Sequence, residues 1–199
     1  MEAVLILTEA KKHLVTIANQ TYQKGLTPGK SGNISIKIKN TSRSSDVILI
    51  TPSSVALRDV NLNNVIVTDL NGKQLEGEGI PSSELQMHLA IYKRREDIGA
   101  IVHTHSPYAT GFSFTDKKIP RLEGFGPIKE PYLEEIEYAT PGSSELVELA
   151  SSGLKREDVL ILKNHGVVAV GPDLDEAVLL AEFTETSAKT GFIIDLLKD

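Results

Sequence analysis

The chain has 199 residues, 40% of them apolar and 24% charged, with a formal charge of −6 at pH 7. That length and apolar content suit one domain with its own core, and the negative balance argues against nonspecific nucleic-acid binding, which needs clustered Lys and Arg. There is no cysteine, so disulfides and thiolate metal sites are excluded, and any metal must be held by His, Asp or Glu.

Leu7, Leu14, Ile17, Ala18 and Tyr22 fall at helical spacing and predict a helix over 3–24 that stops at Gly25. Glu2 precedes the apolar run from Val4 to Leu7, and Lys11 and Lys12 follow it. That order of charge is wrong for a secretory leader. No run approaches the roughly 18 apolar residues of a membrane span, so a cytoplasmic protein is expected. Residues 27–33, "TPGKSGN", are dense in turn formers. Ile34, Ile36 and Ile38 then alternate with Ser35, Lys37 and Lys39, which predicts a strand with one buried face.

Residues 40–46 read as a polar hairpin-like loop, and 47–51 as a short buried strand ending at Pro52. Residues 64–69 and 74–79 read as two more strands around an Asn71-Gly72 turn. Pro81-Ser82-Ser83-Glu84 opens a helix, with Ser82 or Ser83 as N-cap and Glu84 in its first turn. Leu85, Leu89 and Tyr92 carry that helix to Arg95. Residues 99–105 form a strand, 107–114 a short helix, and 118–142 a loop-rich stretch with short extended pieces. A helix over 143–153 closes at Gly153, two strands over 158–171 meet at Asn164-His165-Gly166, and Pro172-Asp173 starts a last helix towards Leu197. The sum is a single α/β domain over 1–199, with a central, mostly antiparallel sheet covered by helices on both faces.

Three of the five histidines draw attention. On a strand, His103 and His105 project to the same face, with Cα atoms about 6–7 Å apart, which suits two nitrogen ligands on one metal. Alone, the pair reads equally well as one buried and one surface histidine. His165 changes the balance. It stands at a strand end between Asn164 and Gly166, whose backbone freedom lets an imidazole point into a cleft. Three such histidines match the sets that hold catalytic zinc with one position open. Glu84 is a fourth candidate, as carboxylate ligand or acid/base, although a glutamate at a helix start is often only a dipole partner. His88, four residues on, shares its face and reads as a core residue or a support of the site. His13 reads as structural or exposed. Three segments rich in donors and small residues, around Lys30 and Asn33, Ser53-Ser54 and Ser82-Ser83, would together make an anion pocket, though each is equally a plain turn or cap.

The segments "SGNIS", "LITPSS", "PSSELQMHLAIYKRREDIGAIVHTHSPYAT" and "LKNHGVVAVGPDLDEA" resemble, in order and over nearly the whole chain, the class II aldolase/adducin family, and within it the branch acting on L-fuculose 1-phosphate. The resemblance implies a homotetramer of α/β subunits with active sites at subunit interfaces. It implies a zinc ion on His103, His105 and His165, with Glu84 ligating the resting ion and moving off as general acid/base. Phosphate-binding positions fall on Asn33, Ser53, Ser54, Ser82 and Ser83, with Lys30 beside them. The implied reaction cleaves a ketose 1-phosphate to dihydroxyacetone phosphate and an aldehyde such as lactaldehyde, through a zinc-stabilised enediolate.

A methylthioribulose-1-phosphate dehydratase or a decarboxylase on the same scaffold stays open, and the His/Glu set also accepts Mn, Co or Fe. The ribulose-5-phosphate 4-epimerase branch has aspartate where Glu84 stands, and an adducin-like binding module lacks the metal set. Two departures from the fuculose branch stand out. Lys30 replaces a small hydroxyl residue. The positions of two tyrosines that line the site from a neighbouring subunit map near Gly124, flanked by Glu123 and Phe125, and beyond Asp199.

Overall fold

A computed structural model describes residues 2–39, 46–122 and 130–198. The expected loop over 40–46 therefore lies almost wholly outside the described residues, as do Glu123, Gly124 and Phe125. Helix α1 spans Glu2–Gln23. It ends as the glycine signal predicts. Gly25 takes φ 74, its N–H donates to Tyr22 O, and the Leu26 N–H donates to Thr21 O, the two bonds of a Schellman end.

Eight strands follow: β1 Asn33–Ile38, β2 Val47–Ile50, β3 Ile66–Asp69, β4 Gln74–Glu76, β5 Ala100–Thr104, β6 Glu134–Ile136, β7 Val159–Leu162 and β8 Gly166–Gly171. They make one sheet in the order β4-β3-β2-β1-β5-β8-β7-β6. Only the β6–β7 pair is parallel among these neighbours. The helices between and after them are α2 Leu85–Arg94, α3 Pro107–Ser113, α4 Ser144–Gly153 and α5 Leu174–Lys198.

The alternation of side chains along each strand sorts the core into two layers. Ile34, Ile36, Ala100, Val102, Val167 and Ala169 pack with Leu14 and Ile17 of α1, Ala109 of α3 and Leu174, Ala177 and Ala181 of α5. On the opposite face Ile48, Ile50, Ile101, Leu160, Val168 and Val170 pack with Leu85, Met87, Leu89 and Ile91 of α2 and Leu146 and Ala150 of α4.

Two expectations are corrected here. β1 is buried on both faces: Ser35 and Lys37 are as enclosed as their isoleucine neighbours, because α2 covers the side that alternation alone assigns to water. Glu84 itself takes the N-cap position of α2, ahead of the first turn. Ser82 Oγ accepts from the Glu84 N–H at 3.3 Å, so the serine side chain holds the entry turn rather than the helix end. The Glu84 carboxylate is engaged elsewhere.

Candidate metal centre and active site

β5 delivers His103, which faces α2 because it alternates with Val102 and shares a face with Ile101. His105 lies just past the strand end, where its N–H donates to Leu26 O at 3.1 Å. His165 sits in a three-residue turn whose strands close on the Leu162–Gly166 pair. Asn164 in that turn takes φ 56, a conformation that asparagine tolerates better than most residues. Gly166 is required by contact. A Cβ there would lie 2.4 Å from Thr104 O and 3.3 Å from the His105 ring. Gly32 is required in the same way, since a Cβ would meet His103 O at 2.6 Å. The turn carrying Lys30 is thus pressed against the His103 backbone.

The three rings form a closed triangle, with centroids 4.8, 4.9 and 4.9 Å apart and planes tilted by 69–80°. One candidate ligand nitrogen from each lies within 4.8 Å of the others. Glu84 closes the set, with Oε2 3.1 Å from His103 Nε2 and Oε1 3.6 Å from His165 Nε2. Asn33, at the head of β1, donates from Nδ2 to Glu84 Oε2 at 2.8 Å.

These contacts fit a cation. His103 Nδ1 donates to Val167 O at 2.9 Å, because a carbonyl can only accept. Its Nε2 faces both Glu84 Oε2, at 3.1 Å, and His105 Nε2, at 3.0 Å. One proton can relieve one of these approaches, whereas a divalent ion at the shared point relieves all. Zinc ligands at about 2.0–2.1 Å from the metal stand roughly 3.3 Å apart in a tetrahedron, close to the 3.0, 3.1 and 3.6 Å contacts among His105, His103, His165 and Glu84. Burial and the neighbouring imidazoles drive His105 down to about 3 and His165 to about 4. Both are thus held neutral, the form that ligates metal. Burial opposes ionisation of Glu84, but His103 and the hydrogen bond from Asn33 outweigh it and hold the carboxyl well below its usual range.

The match to the family model described as Class II Aldolase and Adducin N-terminal domain runs over residues 12–191. The chain belongs to that family. An L-fuculose phosphate aldolase of Methanococcus maripaludis (strain C7) is 41% identical over 189 residues, covering 94% of this chain and 98% of that one. A 3-oxo-tetronate 4-phosphate decarboxylase of Haemophilus influenzae (strain Rd) is 33% identical over 189 residues, covering 92% and 87%. Among solved structures, an L-fuculose 1-phosphate aldolase superposes with a TM-score of 0.87 at 30% identity, covering 96% of this chain and 89% of that one. This family member is therefore an enzyme, a lyase of the class II aldolase type, on a single-domain α/β fold.

The residues tied to phosphate by the family resemblance fall in two groups. An isolated bridge between Pro52 and Pro81, with Ser53 N–H donating to Ile80 O and Ser82 N–H to Thr51 O, sets the two serine pairs side by side. Ser54 takes φ 61, which turns the backbone there. Ser82 is buried, Ser53 partly so, and Ser54 and Ser83 are exposed. Lys30 is exposed on the 27–32 turn. Asn33 instead joins Glu84, and its Oδ1 has no hydrogen-bond partner among the described residues.

Ser35 and Tyr92 were not singled out from sequence. Ser35 Oγ stands 2.7 Å from His88 Nδ1 and 2.8 Å from the Tyr92 hydroxyl, all three buried. Burial drives His88 down to about 3, so it is a neutral member of that chain. His13, by contrast, is not part of that cluster and pairs with Asp175 at 3.1 Å.

Proposed function

We propose that the chain is a zinc-dependent aldolase that cleaves a ketose 1-phosphate, such as L-fuculose 1-phosphate, to dihydroxyacetone phosphate and an aldehyde such as lactaldehyde. One observation carries the reading: three imidazoles and one carboxylate converge on a single point, with ring nitrogens and carboxylate oxygens 3.0–3.6 Å apart. The relatives named aldolases support the substrate class.

A bound divalent ion supplies a Lewis acid for the carbonyl and for the charge left when a carbon–carbon bond breaks. His103, His105 and His165 hold that ion. Glu84 is the acid/base that moves the proton on the dihydroxyacetone phosphate fragment, kept ionised by its histidine and asparagine neighbours. Ser53, Ser54, Ser82 and Ser83, with Lys30, orient the phosphate, and Asn33 steadies the Glu84 carboxylate beside them. Zinc is the expected ion on His₃ with a carboxylate, and the same donors take Mn, Co or Fe. In this reading the protein acts as a cytoplasmic homotetramer with active sites at subunit interfaces, as the family resemblance implies.

The test is a panel of ketose 1-phosphates assayed for dihydroxyacetone phosphate release, with chelator and after restoring single metals. Release that chelator abolishes and zinc restores is expected. No release from any member, or release indifferent to chelator, sinks the reading. A second reading is favoured by the decarboxylase relative: loss of carbon dioxide from a 3-oxo acid phosphate, at the same site. Carbon dioxide evolution from such a substrate, with no dihydroxyacetone phosphate from any ketose phosphate, would select it.

A further inference from the structure

The interface between β1 and α2 carries a polar stripe through an otherwise apolar layer. From β1 come Asn33, Ser35 and Lys37, two residues apart; from α2 and its N-cap come Glu84, His88 and Tyr92, four apart. Two residues of strand advance about 6.6 Å and four of helix about 6 Å, so the two series stay in step. The rungs are hydrogen-bonded, while the buried Asn33 Oδ1 and His88 Nε2 have no hydrogen-bond partner among the described residues. Asn33 donates to Glu84 at 2.8 Å, and Ser35 bonds His88 at 2.7 Å and Tyr92 at 2.8 Å. At the far end Lys37 donates to Glu96 O at 3.3 Å, with its Nζ 5.2 Å from the centre of the Tyr92 ring.

All six side chains lie within 8% of complete burial, next to Ile48, Ile50, Leu85, Met87 and Ile101. An apolar stripe there would bury area without the desolvation that hydroxyls and an imidazole bring. It would also let helix and strand slide, because apolar contacts are not directional. Hydrogen-bonded rungs admit one register. The last rung is the Glu84 carboxylate, whose two oxygens sit 3.1 and 3.6 Å from His103 and His165.

We propose that Ser35, His88 and Tyr92 are positioning residues of this site, whose rungs lock α2 against β1 and thereby set the Glu84 carboxylate relative to the three histidines. The inference rests on the aldolase reading, in which Glu84 moves the proton of the substrate fragment. A carboxylate displaced by about 1 Å loses much of that step. All three stand outside the His103–His105–His165 triangle and act through Glu84.

The experiment loads the whole protein with Co²⁺ in place of zinc. It then reads the visible spectrum and the exchange of solvent deuterium into dihydroxyacetone phosphate, without aldehyde, beside thermal melts. Tyr92→Phe keeps the ring and removes only the hydroxyl; His88→Leu removes the imidazole; His88→Asn keeps a polar atom near the Nδ1 position; Glu84→Ala is the reference. Tyr92→Phe and His88→Leu should bind cobalt, shift its spectrum towards that of Glu84→Ala, and slow exchange by about 10- to 100-fold. His88→Asn should recover part of the loss. Wild-type spectra and exchange in folded Tyr92→Phe and His88→Leu overturn the proposal, as does a loss accounted for by the unfolded fraction. A wild-type protein that neither binds cobalt nor exchanges deuterium overturns the aldolase reading itself, and this inference with it.

Discussion

The two halves of the candidate site are built in opposite ways. The histidine half is made of side chains fixed by regular structure: His103 on β5, His105 one residue past it, and His165 in the turn into β8, with rings 4.8–4.9 Å apart. The serine half is made of backbone. It depends on the Pro52–Pro81 bridge, the φ of 61 at Ser54 and main-chain bonds from Ser53 and Ser82. A metal needs particular donor atoms at fixed angles. An anion needs only small residues and N–H groups that can approach it. The first half should therefore be intolerant of any change, and the second should fail by degrees.

The sharpest way to break this contrast is His105→Ala. It should release the metal and drop turnover to background, read by metal content and dihydroxyacetone phosphate release. Retained metal and activity would mean that the ring triangle is a packing motif. Glu84→Gln should keep the metal but slow turnover by about 10²- to 10⁴-fold, the span of a lost general acid/base. Since both carboxylate oxygens approach imidazoles, a Gln variant with unchanged turnover would remove Glu84 from the chemistry. Gly166→Ala tests rigidity without replacing a ligand. Its Cβ would lie 2.4 Å from Thr104 O, so the His165 turn must shift. Metal affinity should fall by about 10- to 100-fold in a chelator competition. An unchanged affinity would show that the turn yields more easily than its packing suggests.

The same contrast governs what could be read from sequence. "HTH" and "NHG" were legible because few roles other than metal binding call for three histidines at strand ends. The strands of β2, β7 and β8 were legible because apolar runs bounded by turn residues leave little choice. The N-cap of α2 was misjudged because Ser82 and Ser83 have the usual capping chemistry. Nothing local reveals that the Pro81 bridge bends the chain and that Glu84 is drawn to Asn33 and His103.

The buried polar face of β1 was missed for a related reason. Alternation of Ile with Ser and Lys has the same pattern whether the polar face meets water or a polar helix stripe. A signal was present, however. Glu84, His88 and Tyr92 repeat at four residues while Asn33, Ser35 and Lys37 repeat at two. Two polar series of matched pitch, each within an element predicted to be packed, point to a ladder between them.

The smallest expected effects come from the serine half, and their size is the finer test of the contrast. Lys30 is exposed and is pressed towards the site only through the turn that packs on the His103 backbone. A charged hydrogen bond to phosphate contributes about 1.5–3 kcal/mol when sheltered, and exposure to water and salt reduces it. Lys30→Ala should therefore raise KM by about tenfold, with kcat nearly unchanged. Ser83→Ala removes one neutral donor worth about 0.5–1.5 kcal/mol, a KM change of a few-fold, and leaves the backbone N–H in place. Steady-state kinetics on a substrate and on its unphosphorylated sugar would separate the two cases. If Lys30→Ala changes both substrates alike, Lys30 does not meet phosphate. If Ser83→Ala costs as much as Lys30→Ala, the anion is held by side chains, and the contrast between the two halves of the site fails.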